Sequence, residues 1–194
     1  MLRDKLHNCR IILASGSPRR QQFFRELDID FVINVKEVEE VYPPHLKGAE
    51  ITNYLAALKA SAFDGELEPN DLLVTSDTIV WHNSEALGKP KNYEDAVRIL
   101  TQLSDSTHEV ITSVCFRTVR SIDIIDETTK VTFAPLTEEG IRYYLDKYKP
   151  FDKAGAYGIQ DWIGLTGISR IEGSYTNVVG LPTEKVYQYL SQMQ

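Results

Sequence analysis

The chain has 194 residues, and its 42% apolar and 10% aromatic content supports a folded core. Its formal net charge of −7 argues against a general nucleic-acid or anionic-membrane surface, because such a surface needs a basic face. Its two cysteines, Cys9 and Cys115, lie far apart without metal-ligand spacing, which argues against a disulfide framework and a zinc site. No apolar run approaches the roughly 20 residues that span a bilayer, and the N-terminus lacks a signal-peptide pattern. We therefore expect a soluble, cytoplasmic protein without membrane or nucleic-acid partners.

Strand and helix signals alternate through the first 90 residues, as in mixed α/β proteins. Ser17 fits a helix N-cap and Pro18 the first helical position. In chain order, the predicted elements are a buried strand at 10–15, a helix at 18–27, a strand at 31–35, an amphipathic helix over 51–62, a strand at 72–74 and an extended segment at 79–81.

The second half of the chain is predicted to be richer in strands. Asn92 and Thr137 are candidate helix caps, because their side chains can accept a hydrogen bond from the first helical turn. Long β-branched segments at 107–120 and 122–134 predict an antiparallel pair of strands. The other predicted elements are a helix with apolar residues from 96 to 103, a helix at 138–148, a strand at 162–171 and a closing helix at 182–190.

The chain shows no internal repeat and no low-complexity linker, so we predict one domain over residues 1–194. Residues near 1–80 and 100–180 are predicted to form two lobes on a shared sheet. The polar loops are expected to collect in a cleft between these lobes.

An anion site is predicted where the first strand turns into the first helix, in Leu13-Ala-Ser-Gly-Ser-Pro-Arg-Arg20. Backbone N–H groups at a helix start carry partial positive charge and lack intrahelical partners, so a phosphate gains hydrogen bonds there. The hydroxyls of Ser15 and Ser17 suit phosphate oxygens, and so do the guanidinium groups of Arg19 and Arg20. The alternative is a capped helix with two solvated arginines.

A second candidate site is Ser76-Asp77-Thr78, which is predicted to lie at a strand end, where the carboxylate of Asp77 can project past the sheet. An ordinary Asp has a pKa of about 3.9 and is a weak general base at neutral pH. A metal-assisted role is favoured, because Mg²⁺ takes one or two carboxylates together with substrate phosphates and waters. Glu40 in a polar loop is the predicted second carboxylate. The alternative is that Asp77 caps a turn and Glu40 is solvated.

Two further segments place polar side chains among small residues. In Leu-Gly-Lys-Pro at 87–90, the loop is constrained, and Lys89 either reaches a phosphate or faces water. In Asp152-Lys-Ala-Gly-Ala-Tyr-Gly-Ile-Gln160, the small residues let the backbone lie close to a ligand. The carboxamide of Gln160 matches uracil or thymine, because it can accept from N3–H and donate to O4. The alternative for this segment is a tight helix–loop junction with a buried Gln.

The histidines indicate no catalytic base. His108, in Thr-His-Glu-Val, is predicted to be a hydrogen-bonded structural residue, and His7, His45 and His82 are isolated. The sequence offers no credible Ser-His-Asp or Cys-His arrangement for nucleophilic catalysis.

Five segments together resemble the Maf family of nucleoside triphosphate pyrophosphatases, and they span nearly the whole chain. They are residues 13–20, 76–78 with 87–90, 103–104 with 107–110, 152–160 and 172–182. The resemblance implies an elongated, two-lobed mixed α/β fold like that of inosine triphosphate pyrophosphatases (Ham1), with a central mixed sheet and a cleft between the lobes. It also implies a homodimer and a divalent metal cofactor, Mg²⁺ or Mn²⁺.

The resemblance also implies roles for single residues. The block 152–160 is similar to that of the branch acting on dTTP and UTP rather than on 7-methyl-GTP, and Asp77 matches the catalytic acidic residue. The chain departs from the family pattern at Thr75-Ser76, where Gly-Ala or Ala-Ala is usual, and at Asp161-Trp162, where Gly usually follows the glutamine. Arg19, Thr78 and Gln160 match positions of substrate choice, and Ser15, Arg20, Glu40, Lys59, Lys89 and Lys153 match other pocket positions.

The resulting hypothesis is a hydrolase that cleaves dTTP, UTP or a modified pyrimidine triphosphate between the α and β phosphates, in a nucleotide-pool housecleaning role. Asp77 and Glu40 would bind the metal and orient the attacking water. One alternative is a nucleotidyltransferase, because the first motif is similar to the Gly-rich loop of those enzymes. The other is a non-catalytic nucleotide-binding regulator of cell division. The residues assigned to the triphosphate are Arg19, Arg20, Lys59, Lys89 and Lys153.

Overall fold

Strands and helices alternate along residues 2–193, the part of the chain that this computed structural model describes. The strands are β1 (Arg10–Leu13), β2 (Phe31–Ile33), β3 (Asp71–His82), β4 (Glu85–Leu87), β5 (Thr107–Arg117), β6 (Ile122–Phe133) and β7 (Ile168–Glu172). The helices are α1 (Leu2–Lys5), α2 (Pro18–Glu26), α3 (Ala49–Ser61), α4 (Tyr93–Leu103), α5 (Glu138–Tyr148), α6 (Trp162–Gly167), α7 (Tyr175–Val179) and α8 (Thr183–Gln192), with a 3₁₀ turn at Ala154–Ala156.

The strands form a mixed seven-stranded sheet in the order β2-β1-β3-β5-β6-β7, with β4 paired to β3. β1 is parallel to both β2 and β3, whereas β4 and β7 are antiparallel to their partners. Ile11, Ile12 and Leu13 of β1 are all buried, as expected for a parallel strand covered on both faces. β5 and β6 are neighbours joined by a short turn in which the N–H of Thr118 donates to the carbonyl of Ser121. The predicted mixed α/β class is confirmed.

β3 differs from the prediction. The sequence indicated a strand end at residues 75–78, but the strand runs without interruption from Asp71 to His82. Thr75 and Ser76 are buried within it, and the hydroxyl of Thr75 donates to the carbonyl of Ala56 at 2.6 Å. Because the buried hydroxyl of Thr75 has a main-chain acceptor, it can be accommodated inside the strand. Asp77 therefore lies in the middle of β3.

The predicted strand at 162–171 is wrong in its first part, because residues 162–167 form helix α6 and only β7 is extended. A short apolar run fits either a strand or a buried helix, and periodicity cannot distinguish them. Asp161 stands at the N-cap position of α6. Gly164 allows the helix to pack closely, since a Cβ there would lie 2.0 Å from the carbonyl oxygen of Ile159.

The described chain divides into two compact units, each with its own core. The first comprises the chain up to Asp77, Thr112–Glu127 and the chain from Gly180. Its core includes Phe24, Leu72 and Phe116, all fully buried. In this unit, Pro18 occupies the start of α2 as predicted.

The second unit comprises Thr78–Ile111 and Thr128–Val179. Its core includes Leu100 and Tyr144. Two predicted helix caps are confirmed here by their hydrogen bonds. The side chain of Asn92 accepts from the N–H of Asp95 at 2.9 Å, and that of Thr137 accepts from the N–H of Gly140 at 3.1 Å. Over residues 2–193, no helix combines the length and the apolar character that crossing a bilayer requires.

Candidate active site

In the loop before α2, hydrogen bonds to Ser15 take the place of a capping side chain. Ser17 occupies the N-cap position, as predicted, but its side chain makes no capping hydrogen bond. Instead, its N–H donates to the hydroxyl of Ser15 at 3.3 Å. The side-chain amide of Gln21 donates to the Ser15 carbonyl at 3.1 Å. The first turn of α2 holds no acidic residue, so its positive dipole end is not neutralised by an Asp or Glu of its own.

Arg20 cross-links two main-chain segments of the first unit. Its Nε donates to the carbonyl of Gly180 and its Nη1 to the carbonyl of Ser76, both at 2.9 Å. Burial lowers the pKa of its guanidinium from the ordinary value, and the charge of Arg19 acts in the same direction. The carboxylates of Asp77 and Glu40 oppose this shift. The predicted cation and the two predicted acids are therefore close enough to interact.

Lys59, Glu40 and Asp77 form a charged cluster in the first unit. Lys59 lies in the last turn of α3, and its Nζ is 2.6 Å from Asp77 Oδ1 and 3.0 Å from Glu40 Oε1. The same Nζ is 3.5 Å from the carbonyl of Ser76, which also accepts from Arg20. The side chain of Asp77 is 8% exposed and that of Glu40 is 45% exposed. The cations of Lys59 and Arg20 thus lie close to two carboxylates. That of Asp77 is buried, and that of Glu40 is half-exposed.

This cluster fits a divalent cation of the Mg²⁺ class. Oxygens of Asp77 and Glu40 already meet at a single positively charged atom, and Mg²⁺ accepts one or two carboxylates when substrate and water supply its other ligands. A site made wholly of protein groups does not fit, because no three of the His, Cys, Asp or Glu side chains that the structure describes are grouped to hold a metal. These residues could therefore hold a divalent cation only together with ligands from substrate and water.

The second unit holds four of the predicted residues, namely Thr78, Lys89, Lys153 and Gln160. Lys89 is exposed on the loop after β4. Facing water was one of the two roles predicted for it. The N–H of Gly155 donates to the carbonyl of Gly88 at 3.1 Å, so this loop is joined to segment 152–160. Lys153 pairs with Asp152 at 2.8 Å. Gln160 is exposed, and the alternative of a buried Gln is therefore wrong.

Three comparisons with known proteins bear on this arrangement. The family model described as Maf-like protein matches residues 10–193. The chain belongs to the Maf family. It is 66% identical to a dTTP/UTP pyrophosphatase of Flavobacterium psychrophilum, over 98% of this chain and 97% of that protein. It is 62% identical to a dTTP/UTP pyrophosphatase of Flavobacterium johnsoniae, over 98% of each chain. Among solved structures, the Ham1 protein of Staphylococcus aureus aligns with 64% of this chain and 72% of its own, at 16% identity and a TM-score of 0.48.

Within this Maf-family chain, sequence patterns missed two polar pairs in the second unit, one buried and one partly buried. His108 Nε2 lies 2.7 Å from the hydroxyl of Tyr157, and both residues are buried. Desolvation, followed by the charge of His82, lowers the pKa of His108 to about 3, which agrees with its predicted structural role. Tyr144 donates to Asp161 Oδ2 at 2.8 Å. The sequence did not point to Tyr144 or Tyr157, because no local sequence pattern marks a tyrosine whose hydroxyl becomes buried.

Proposed function

We propose that this protein hydrolyses dTTP and UTP, with water attacking the α phosphorus, the bond to the bridging oxygen breaking, and pyrophosphate leaving. The proposal is carried by its near-full-length similarity to proteins named dTTP/UTP pyrophosphatase. The Lys59, Glu40 and Asp77 cluster supports it, because hydrolysis of a triphosphate needs both cations for the phosphates and a carboxylate for the water. Modified pyrimidine triphosphates are included among the proposed substrates, in a housecleaning role.

In the first unit, we assign Asp77 to orienting the attacking water and Arg19, Arg20 and Lys59 to the phosphate oxygens. We also assign Ser15 and Ser17 to phosphate binding, with their hydroxyl and main-chain N–H groups as the hydrogen-bond donors. The orientation of Arg20 is supported by its two main-chain hydrogen bonds, which fix the guanidinium before substrate arrives. For the second unit, Lys89 and Lys153 are proposed as further phosphate ligands, and Thr78 and Gln160 as the residues that select the base.

A divalent cation, Mg²⁺ or Mn²⁺, is proposed as the cofactor, with Glu40 and Asp77 as its protein ligands. When bound, such a cation supplies positive charge to the phosphate oxygens and to the leaving pyrophosphate. Glu40 is half-exposed and on a segment without regular structure, so it can adjust to a ligand, whereas Asp77 is fixed by β3. Chelation with EDTA should abolish turnover, and added Mg²⁺ or Mn²⁺ should restore it.

The remaining proposals are a homodimer and a cytoplasmic location, without nucleic-acid or membrane partners. The family resemblance supports the dimer, and the net charge of −7 supports the absence of polyanionic partners. Light scattering of the purified protein tests the dimer, since a monomer has a mass of 22.1 kDa.

The deciding experiment is a panel of natural and modified nucleoside triphosphates with Mg²⁺ and no acceptor molecule. We expect monophosphate and pyrophosphate in equal amounts, fastest from dTTP and UTP. A nucleotidyltransferase would be idle under these conditions, and a nucleotide-binding regulator would bind without turnover. Gln160→Ala in the same panel should weaken the pyrimidine preference more than it slows the best substrate. The opposite pattern would remove Gln160 from base selection.

A further inference from the structure

Gln160 lies in a turn that is held from both sides by one buried tyrosine. The N–H of Asp161 donates to the carbonyl of Gly158 at 3.0 Å and closes the turn. The N–H of Gly158 donates to the hydroxyl of Tyr144 at 3.0 Å, and that hydroxyl donates to Asp161 Oδ2 at 2.8 Å. The ring of Tyr144 is fully buried in the core of the second unit. The two ends of the turn are therefore tied to one fixed atom, with Gln160 exposed between them.

Side-chain atoms of Gln160 and Asp161 both lie next to the α-carbon of Gly158. A Cβ built on Gly158 would lie 2.5 Å from Asp161 Oδ2 and 2.9 Å from Gln160 Nε2. The amide nitrogen of Gln160 is thus on the same side as the Asp161 carboxylate. A carboxylate accepts hydrogen bonds only, so it favours the NH₂ group over the carbonyl oxygen of a neighbouring amide. Burial raises the pKa of the Tyr144 phenol, which keeps its proton available for Asp161.

The orientation of a carboxamide matters for pyrimidine choice. Uracil and thymine present an N3–H donor beside an O4 acceptor, whereas cytosine presents an N3 acceptor beside an amino donor. A carboxamide rotated by 180° exchanges its donor and acceptor and fits the other pattern. An unrestrained Gln would therefore accept both kinds of base.

We propose that Asp161, locked by Tyr144, is a positioning residue that fixes the Gln160 carboxamide in the orientation that selects uracil and thymine over cytosine. The inference rests on the proposed function, because it concerns the base of the proposed substrates. Asp161 stands where glycine is usual in the family pattern. Asp161 supplies a charge and a hydrogen-bond acceptor that the usual glycine lacks.

The test compares UTP with CTP in Asp161→Asn and Tyr144→Phe. Asp161→Asn removes the charge at constant size, and Tyr144→Phe removes the lock while keeping the buried ring. Each should lower the ratio of kcat/KM for UTP over CTP by about tenfold, the effect of one misplaced hydrogen bond. The ratio of dissociation constants for UMP and CMP, measured by calorimetry, gives the same comparison without turnover. Thermal unfolding of each variant shows whether it is folded.

A double-variant cycle separates positioning from a structural role. In a Gln160→Ala background, Asp161→Asn should leave the UTP-to-CTP ratio unchanged, because the group through which it acts is gone. Tyr189→Phe is the matched control, since Tyr189 makes the same type of hydrogen bond with Asp123 in the first unit at 2.9 Å. It should leave the ratio at the wild-type value.

Unchanged ratios in both single variants, or an additive effect with Gln160→Ala, would overturn the inference. An unchanged ratio in Gln160→Ala alone would overturn it as well. Failure of the proposed function looks different, because the wild-type protein would then release no pyrophosphate from UTP or dTTP. In that case, the monophosphate binding ratios still decide whether Asp161 and Tyr144 orient Gln160.

Discussion

Lys59 and Asp77 form a close ion pair in which the ammonium lies 2.6 Å from a carboxylate that is only 8% exposed. The two residues are 18 positions apart in the chain and come from the consecutive elements α3 and β3. Glu40 shares the same ammonium. Asp77 depends on a cation at this point, because a buried charge without a partner is costly.

Asp77→Asn should reduce pyrophosphate release about a hundredfold. Asn keeps the size of the side chain but loses the charge that we assign to orienting water and to binding the proposed metal, a loss that typically costs about 3 kcal/mol in the barrier. The measurement is release of pyrophosphate from dTTP, with circular dichroism to show that the variant is folded. Asp64→Asn is the control, because Asp64 is an exposed carboxylate that pairs with Arg117 and should leave the rate unchanged. A folded Asp77→Asn protein with the wild-type rate would remove Asp77 from the mechanism.

Lys59→Met should lower the free energy of unfolding by about 2 kcal/mol in the absence of divalent cations, because Asp77 and Glu40 then repel without a shared partner. Mg²⁺ should raise the melting temperature of this variant more than that of the wild type, since the cation takes over the role of the ammonium. The measurement is thermal unfolding with MgCl₂ and with KCl at matched ionic strength. Equal Mg²⁺ effects in the two proteins would argue against a metal site at these carboxylates.

Acid should destabilise the protein through His108. Its pKa in the folded state is lowered to about 3, whereas an unfolded histidine titrates near 6.5, so below pH 6.5 the unfolded chain binds a proton that the folded chain does not. The free energy of unfolding should therefore fall by about 2 kcal/mol from this residue alone between pH 6.5 and 5. Urea denaturation at the two pH values measures it.

His108→Gln serves as the comparison for this pH effect. Glutamine does not titrate and can still reach the hydroxyl of Tyr157, which His108 contacts at 2.7 Å. Between pH 6.5 and 5, the free energy of unfolding of the variant should fall by about 2 kcal/mol less than that of the wild type. If both proteins lose the same amount, His108 is not the group responsible.

Gly155→Ala should destabilise the protein more than Gly65→Ala. Both glycines have a left-handed φ, of +69° and +78° respectively, so both alanines cost about 1 kcal/mol of backbone strain. At Gly155 the new Cβ would also lie 2.6 Å from Val80 Cγ2, whereas nothing lies within 4 Å at Gly65. Overpacking of this kind adds about 1–3 kcal/mol. Equal losses of stability in urea denaturation would contradict the close contact with Val80.

Local elements were predictable where the deciding residues are neighbours in the chain. Pro18 begins α2, and Asn92 and Thr137 cap α4 and α5 by accepting from N–H groups three residues later. These interactions form within a single turn, so a short stretch of sequence contains all the information. For the same reason, Ser17 was placed correctly at the N-cap, although its side chain does not cap.

The mixed α/β class, the five longest helices and the acidic and basic residues available for chemistry could be predicted from local sequence patterns. The three-dimensional structure was needed to show that β3 continues through Asp77, that residues 162–167 are helical and that Tyr144 holds the turn around Gln160. It also decided that Lys59 meets both carboxylates and that Arg20 binds the carbonyls of Ser76 and Gly180. The reason is physical. Except for α6, these outcomes depend on polar groups that find hydrogen-bond or ionic partners in other segments of the chain, which local sequence patterns do not show.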